Sequence, residues 1–203
     1  MMNGQRSQDP VVLWAIIDAQ AAQIIRLETL YQEASKDELT GLPKRAELME
    51  ATNNALSKGH LPTSMIFLDL NGFKNINDTI GHDAADSLLI QFAQFLREQR
   101  EGLGDASVLV TIARLYRGDE FAILLTHTGA KDAIEFAMAI KEALKEHPFA
   151  VNGAKISLRS AIGVSTTGLG ISTVGELLNH ADKAMYQDKQ EMSERGEVTE
   201  VMK

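Results

Sequence analysis

The sequence predicts a mixed α/β (α+β) sandwich on a mostly antiparallel central sheet, preceded by one long helix. Three observations predict it. Short apolar runs of strand length alternate with stretches of helical periodicity. Two β-rich runs are joined by a Gly-containing turn, the pattern of a central hairpin, which points to an arrangement related to the split βαβ motif. The N-terminal segment instead holds a helical repeat over about four heptads with no strand signal.

In chain order, the polar stretch 1–9 precedes a helix read from Pro10 to about Ser35, with Asp9 as cap and Pro10 in the first turn. Leu13, Ile17, Ile24, Leu27, Tyr31 and Ala34 recur at three- and four-residue steps, a seam broken by Gln20. Two readings stay open for it: an amphipathic helix packed on its own domain, or a coiled-coil stalk pairing two subunits. Residues 1–36 are thus one unit and 37–203 the folded domain. Gly41 and Pro43 mark a turn before a helix that runs to about Ser57. Ser64–Leu70 is nearly continuously apolar, as in a buried strand. Asp78 to about Arg100 reads as one helix, with Leu88, Leu89, Phe92, Phe95 and Leu96 on one face. Val108–Tyr116 and Phe121–Thr126 form the hairpin, Lys131 to about His147 a helix, Ala154–Ser165 further strand, and Thr173 to about Ser193 the last helix.

Composition limits what such a domain does. With 44% hydrophobic and 24% charged residues the chain buries a core. A net charge of −8 argues against a partner that is a nucleic acid polymer, whose phosphates demand clustered cations. A small phosphorylated substrate bridged by metal ions is compatible with that charge. The absence of cysteine excludes disulfides, thiol chemistry and Cys-ligated zinc. The unbroken apolar run Val11–Ile17 ends at Asp18, short of the roughly 20 residues a membrane span needs, so the expectation is a cytoplasmic protein without a span.

Two acidic features carry chemistry. Asp69 interrupts a buried apolar strand, where a carboxylate costs several kcal/mol unless paired or metal-bound. Asp119-Glu120 sits on the hairpin tip. Singly, each has an ordinary reading, as a salt-bridged strand Asp and a solvated turn. If strand and hairpin are sheet neighbours, however, their carboxylates converge, and an all-oxygen site of that kind suits Mg²⁺ or Mn²⁺. Paired ions there neutralise a triphosphate and activate an attacking hydroxyl.

The stretch Asp69-Leu70-Asn71-Gly72-Phe73-Lys74-Asn75-Ile76-Asn77-Asp78-Thr79-Ile80-Gly81-His82, followed by Asp86, resembles the nucleotide-binding segment of the GGDEF family of diguanylate cyclases. Arg117-Gly118-Asp119-Glu120-Phe121 is similar to the motif that names the family, with Arg in place of its first Gly. Asp37–Arg45 resembles the family's opening motif, and Ala181–Lys189 its closing helix motif. The resemblance implies a palm-like nucleotidyl-cyclase fold and the condensation of two GTP into cyclic di-GMP, a bacterial second messenger, and pyrophosphate. It also implies a homodimer, since each domain presents one GTP, with the N-terminal helix bringing the two together. By the same resemblance Asp69, the Leu70 carbonyl and Asp119 hold two metal ions, and Glu120 joins Asp119 in catalysis. Asn77 and Asp86 read guanine, while Lys74, Gly118 and Lys189 bind the rest of the substrate.

Some positions depart from the pattern. Arg117 brings a guanidinium to the tip, and Ser193 stands where the family commonly has a phosphate-binding Arg, with Arg195 close by as a substitute. Asn71, in place of a second Asp, is expected to alternate away from Asp69. Val108-Leu109-Val110-Thr111 lacks the Arg-x-x-Asp of the family's product-inhibition site, so feedback there is expected to be missing. Arg117 and Ser193 motivate a second reading: a degenerate domain that binds GTP or a protein without turnover.

Overall fold

The structure, a computed structural model, describes residues 10–102, 108–116, 118–168, 170–197 and 199–202. The chain divides into two compact units between Lys36 and Asp37. The first contains helix α1 (Pro10–Ala34). Its apolar residues circle the helix: Trp14, Ile16, Ile25 and Leu30 are exposed as well as seam residues such as Leu13, Ile24 and Leu27. Taken as a continuous helix rather than an unbroken apolar run, Pro10–Tyr31 is long and apolar enough to cross a membrane by length and composition.

The second unit is a mixed α/β sandwich. Its elements are α2 (Arg45–Ser57), β1 (Ser64–Leu70), α3 (Phe73–Ile80), α4 (His82–Glu101), β2 (Val110–Leu115), β3 (Glu120–Leu125), α5 (Ala130–Glu146), β4 (Pro148–Val151), β5 (Ala154–Ser157), β6 (Ser160–Thr166), α6 (Val174–Glu194) and β7 (Glu200–Met202). The main sheet has the order β2-β3-β1-β6, and β4-β5-β7 form a second, smaller sheet. Within both sheets the strand pairings are antiparallel.

Side-chain alternation divides the main sheet into two faces. Ile66, Leu68, Leu70, Ile112, Phe121 and Ile123 join one core with α4 and α5. Met65, Phe67, Ala113, Ala122, Leu124 and Ala161 join the other with α2 and α6. Covered on both sides, β1 is buried at every position, which is why its sequence shows an apolar run rather than an alternation.

Two expectations are corrected, and two short strands carried no signal in the sequence. The single helix read from Asp78 is two, because Gly81 takes φ 84° and ψ 164°, breaks the ladder, and leaves α3 to start earlier at Phe73. The strand read over Ala154–Ser165 is also two: it divides at Leu158-Arg159, where the chain passes from the small sheet to the main one. The strands β4 and β7 have four and three residues, too short for a periodicity signal.

Helix α6 is placed by its ends and by one close approach. Thr173 and Glu176 form a reciprocal capping box, with Glu176 N–H donating to Thr173 Oγ1 at 3.2 Å and Thr173 N–H to Glu176 Oε2 at 3.0 Å. Midway, α6 lies so close to β6 that a Cβ on Gly163 would stand 2.1 Å from both Ala181 O and Met185 N. No rotamer relieves a clash with backbone atoms. Gly163→Ala is therefore expected to cost about 3 kcal/mol or more, read as a large fall in the thermal unfolding midpoint. An unchanged midpoint would mean that α6 does not lie against β6 at that distance.

Candidate active site

Antiparallel register carries the acidic residues to one end of the sheet. Asp69 on β1 is the Cα partner of Glu120 on β3, and Leu70 N–H donates to Asp119 O at 3.2 Å. The carboxylates flagged 50 residues apart in sequence thus come together at that end of the two inner strands. Asp69 is 6% exposed and its Oδ1 accepts from Lys189 Nζ of α6 at 2.6 Å. Its carbonyl accepts from Ser160 Oγ at 3.0 Å.

The charge balance is tilted toward anions. Burial raises the Asp119 carboxyl above its ordinary range, and the Asp69 charge adds to the shift, outweighing the backbone hydrogen bond and the cations Lys189 and Arg114. Burial likewise raises Glu120, reinforced by Asp69, Asp119 and Asp182 and opposed by Lys189. Asp182 joins the group from α6, a contribution its place in the closing motif left unassigned. Acidic oxygen donors that repel one another are a set that a divalent cation relieves, and Mg²⁺ or Mn²⁺ fits them. Among the described residues no three such groups form a ready metal cage. The ammonium of Lys189 must leave Asp69 Oδ1 for that oxygen to take a metal.

The hairpin tip is held from below by Arg114, which sequence reasoning passed over. It interrupts the apolar run of β2 as Asp69 interrupts β1, and that interruption was the available signal. At 6% exposed, its Nε donates to Gly118 O at 2.9 Å and its Nη1 pairs with Asp37 Oδ1 at 3.0 Å. Asp37 Oδ1 also accepts from Thr40 N–H at 2.9 Å and Thr40 Oγ1 at 2.7 Å. Burial alone would raise the Asp37 carboxyl; the Thr40 and Arg114 hydrogen bonds and the Arg114 charge outweigh it and hold it below the ordinary range. Tyr116 takes the left-handed turn at φ 50°, with the Arg45 guanidinium 5.7 Å from its ring centre. Arg117 lies outside the described residues.

Two cavities flank the hairpin and share Arg45 and Tyr116. One, of about 400 Å³, reaches Glu120, Asp182 and Met185. The other, of about 750 Å³, holds Asp37, Lys44, Arg114 and Asp86. Asp86 is exposed on α4 there, as a base-reading carboxylate needs to be. Asn77 on α3 does not line that cavity, but its Oδ1 is buried with no donor, an acceptor in want of a partner. Lys74 is exposed on the first turn of α3. Asn71 does not alternate away from Asp69. Residues two apart share a face, and as Asp69 reaches Lys189, so Asn71 Nδ2 reaches Met192 Sδ at 3.4 Å on the same helix. Arg195 is held by Glu197 at 2.7 Å and Glu191 at 3.4 Å, so its charge is already matched.

Residues 34–195 match the family model described as diguanylate cyclase, GGDEF domain, and the chain belongs to that family. It is 34% identical over 127 residues to diguanylate cyclase A of Treponema denticola, covering 63% of this chain and 32% of that protein. It is 31% identical over 161 residues to the response regulator PleD of Caulobacter vibrioides, covering 77% and 34% respectively. The chain thus spans about a third of the length of these curated relatives. The structure of the GGDEF domain of TpbB (YfiN) from Pseudomonas aeruginosa superposes with a TM-score of 0.67 at 34% identity, over 77% of this chain and 89% of that one.

The raised carboxyls give a signed expectation. Groups whose pKa rises on folding contribute stability that is fully present below their unfolded-state pKa and lost as pH rises through the folded value. Without metal, Asp119 and Glu120 therefore oppose folding at neutral pH. Asp119→Asn is expected to raise the unfolding midpoint in EDTA at pH 7.5 and to remove any further rise on adding a divalent cation. A midpoint lowered in EDTA would show that the acidic edge is not under repulsion.

Proposed function

We propose that the chain is a diguanylate cyclase, converting two GTP into cyclic di-GMP and two pyrophosphates with Mg²⁺ or Mn²⁺. The observation that carries the reading is the convergence of Asp69, Asp119 and Glu120 at one end of the main sheet, with Asp86 exposed in one of the two cavities that flank the hairpin. In each half-reaction the 3′-oxygen of one nucleotide attacks the α-phosphorus of the other. The new O–P bond forms as the bond to pyrophosphate breaks, and the hydroxyl proton leaves. Asp69, the Leu70 carbonyl and Asp119 would hold the metal ions, which lower the hydroxyl pKa and neutralise the departing phosphates.

The side chains supply the rest. Glu120, whose carboxyl burial and the neighbouring acids raise above the ordinary range, would accept the hydroxyl proton. Asp86 accepts from the guanine ring N–H and exocyclic amine, a pattern adenine lacks, and Asn77 adds an amide on the same base. Gly118 leaves the tip backbone free to approach the nucleotide, while Lys74 and Lys189 meet phosphate charge. The cyclic product needs two domains face to face, and we assign their pairing to α1. Asp18, Gln20, Gln23, Arg26 and Glu28 interrupt its apolar surface, and charges at a bilayer centre each cost about 2.5–3.5 kcal/mol, which favours pairing in water. The domain would then work in the cytoplasm, where its GTP is. The degenerate alternative rests on Ser193 and Arg117.

Incubating the chain with GTP and Mg²⁺ is expected to yield cyclic di-GMP, with Asp119→Ala abolishing product and Asp86→Ala raising KM for GTP about tenfold or more. GTP binding without product would favour the degenerate reading. Sedimentation is expected to give a dimer that Ile24→Asp with Leu27→Asp dissociates, with specific activity falling alongside. Full activity in a monomer would overturn the pairing.

A further inference from the structure

The carboxylate edge has a direction, because its two sides carry opposite charge. On the hairpin side stand Glu120 and, from α6, Asp182. On the β6 side stand Lys189 and Arg159. With its α-phosphate at the metal ions of Asp69 and Asp119, a nucleotide whose remaining phosphates run toward β6 meets cations there, and one turned the other way meets Glu120 and Asp182. Lys189 pairs with Asp69 at 2.6 Å and supplies one cation there once a metal frees it. Ser193, one turn further along α6, offers none.

Arg159 is in position to receive them. Asp69 pairs with Ala161, and Asn71 N–H donates to Arg159 O at 2.9 Å, so residue 159 is the diagonal cross-strand neighbour of Asp69. Such neighbours lie about 7–8 Å apart on the same face, within reach of a long side chain. The half-buried Arg159 opens onto a cavity of about 150 Å³ bordered by Ser160, Met192 and two ion pairs whose charges cancel, Lys145 with Glu142 and Arg195 with Glu197. Met192 is also the residue that Asn71 touches, so this cavity adjoins the Asp69 face.

What separates Arg159 from its basic neighbours is its partners. Lys141 holds Asp188 at 2.6 Å, Lys145 holds Glu142 at 2.6 Å, and Arg195 holds Glu197 and Glu191. Arg159 Nη1 donates to two neutral oxygens, Ser157 Oγ at 2.9 Å and the Leu158 carbonyl at 3.2 Å. Among the described residues none of the ion pairs includes it. A half-buried guanidinium matched only by neutral acceptors keeps its affinity for an anion, and its planar fork suits a phosphate.

We propose that Arg159 binds the terminal phosphates of the nucleotide triphosphate and sets the direction in which they leave the metal edge. This rests on the nucleotide reading of the site and extends it to a residue outside every motif quoted above. A structural role is the rival account, since Arg159 also ties the β5–β6 junction through its N–H to Thr199 Oγ1 at 3.1 Å. The two differ in which ligand notices the loss.

The test is calorimetric titration of the full chain in Mg²⁺ with the α,β-methylene analogue of GTP and, separately, with GMP. Arg159→Ala is expected to weaken the analogue at least tenfold, about 1.4 kcal/mol, and to leave GMP unchanged. Arg159→Lys should fall between, and Arg159→Gln, which keeps a donor for Ser157, should behave like Ala. Arg195→Ala should bind as the wild type. Unaltered analogue binding in Arg159→Ala, or an equal loss for GMP, overturns the proposal. A wild type that binds neither ligand overturns it together with the cyclase reading. The Arg159 difference in a chain that makes no cyclic di-GMP supports it and overturns the cyclase reading alone.

Discussion

The buried guanidinium of Arg114 joins the parts of the domain on which the acidic edge depends. It sits inside β2, bonds the Gly118 carbonyl of the hairpin tip, and pairs with Asp37, the first residue of the folded unit. Its own N–H donates to Pro43 O at 3.0 Å, so the turn before α2 is held by the same residue. With Asp37 gone, a nearly solvent-free cation would lack its counter-charge, a loss typically worth about 3–5 kcal/mol. The position of the acidic pair is thus set by a contact between the start of the domain and its middle.

Around that anchor the site runs against stability. Asp119 and Glu120 are both pushed toward their neutral forms by burial and by the Asp69 charge, with one ammonium from Lys189 set against Asp69. The surrounding sandwich supports this through ordinary packing. Phe92 and Phe121 meet edge to face at 4.8 Å between ring centres in one core, and Gly163 lets α6 approach β6 in the other. Because α6 brings Lys189, Asp182 and Met192 to the edge, that close approach positions side chains as well as burying surface.

Much of the domain was legible in sequence because local signals agree with the fold. The apolar run of β1, the hairpin, and the periodicity of α2, α5 and α6 each reported a real element. The failures have physical causes. Gly81 reads as a helix residue until its positive φ shows it ending one helix and starting another. The relation of Asn71 to Asp69 follows from strand alternation, which places residues two apart on one face. Arg114 carried the same signal as Asp69, a charge within an apolar strand, and its partner Asp37 lies 77 residues away, where spacing conveys nothing.

Taken alone, the sequence determined the family, the acidic residues, the order of most elements and the lack of a compensating charge at Ser193. These are properties of residue identity and short-range spacing. Tertiary structure decided which charges meet. Antiparallel register set Asp69 beside Glu120, helix α6 supplied Lys189 and Asp182, and the turn from β5 into β6 brought Arg159 diagonal to Asp69. Electrostatic energy depends on distance through space, and only the folded sheet brings residues 69, 120 and 159 to one edge.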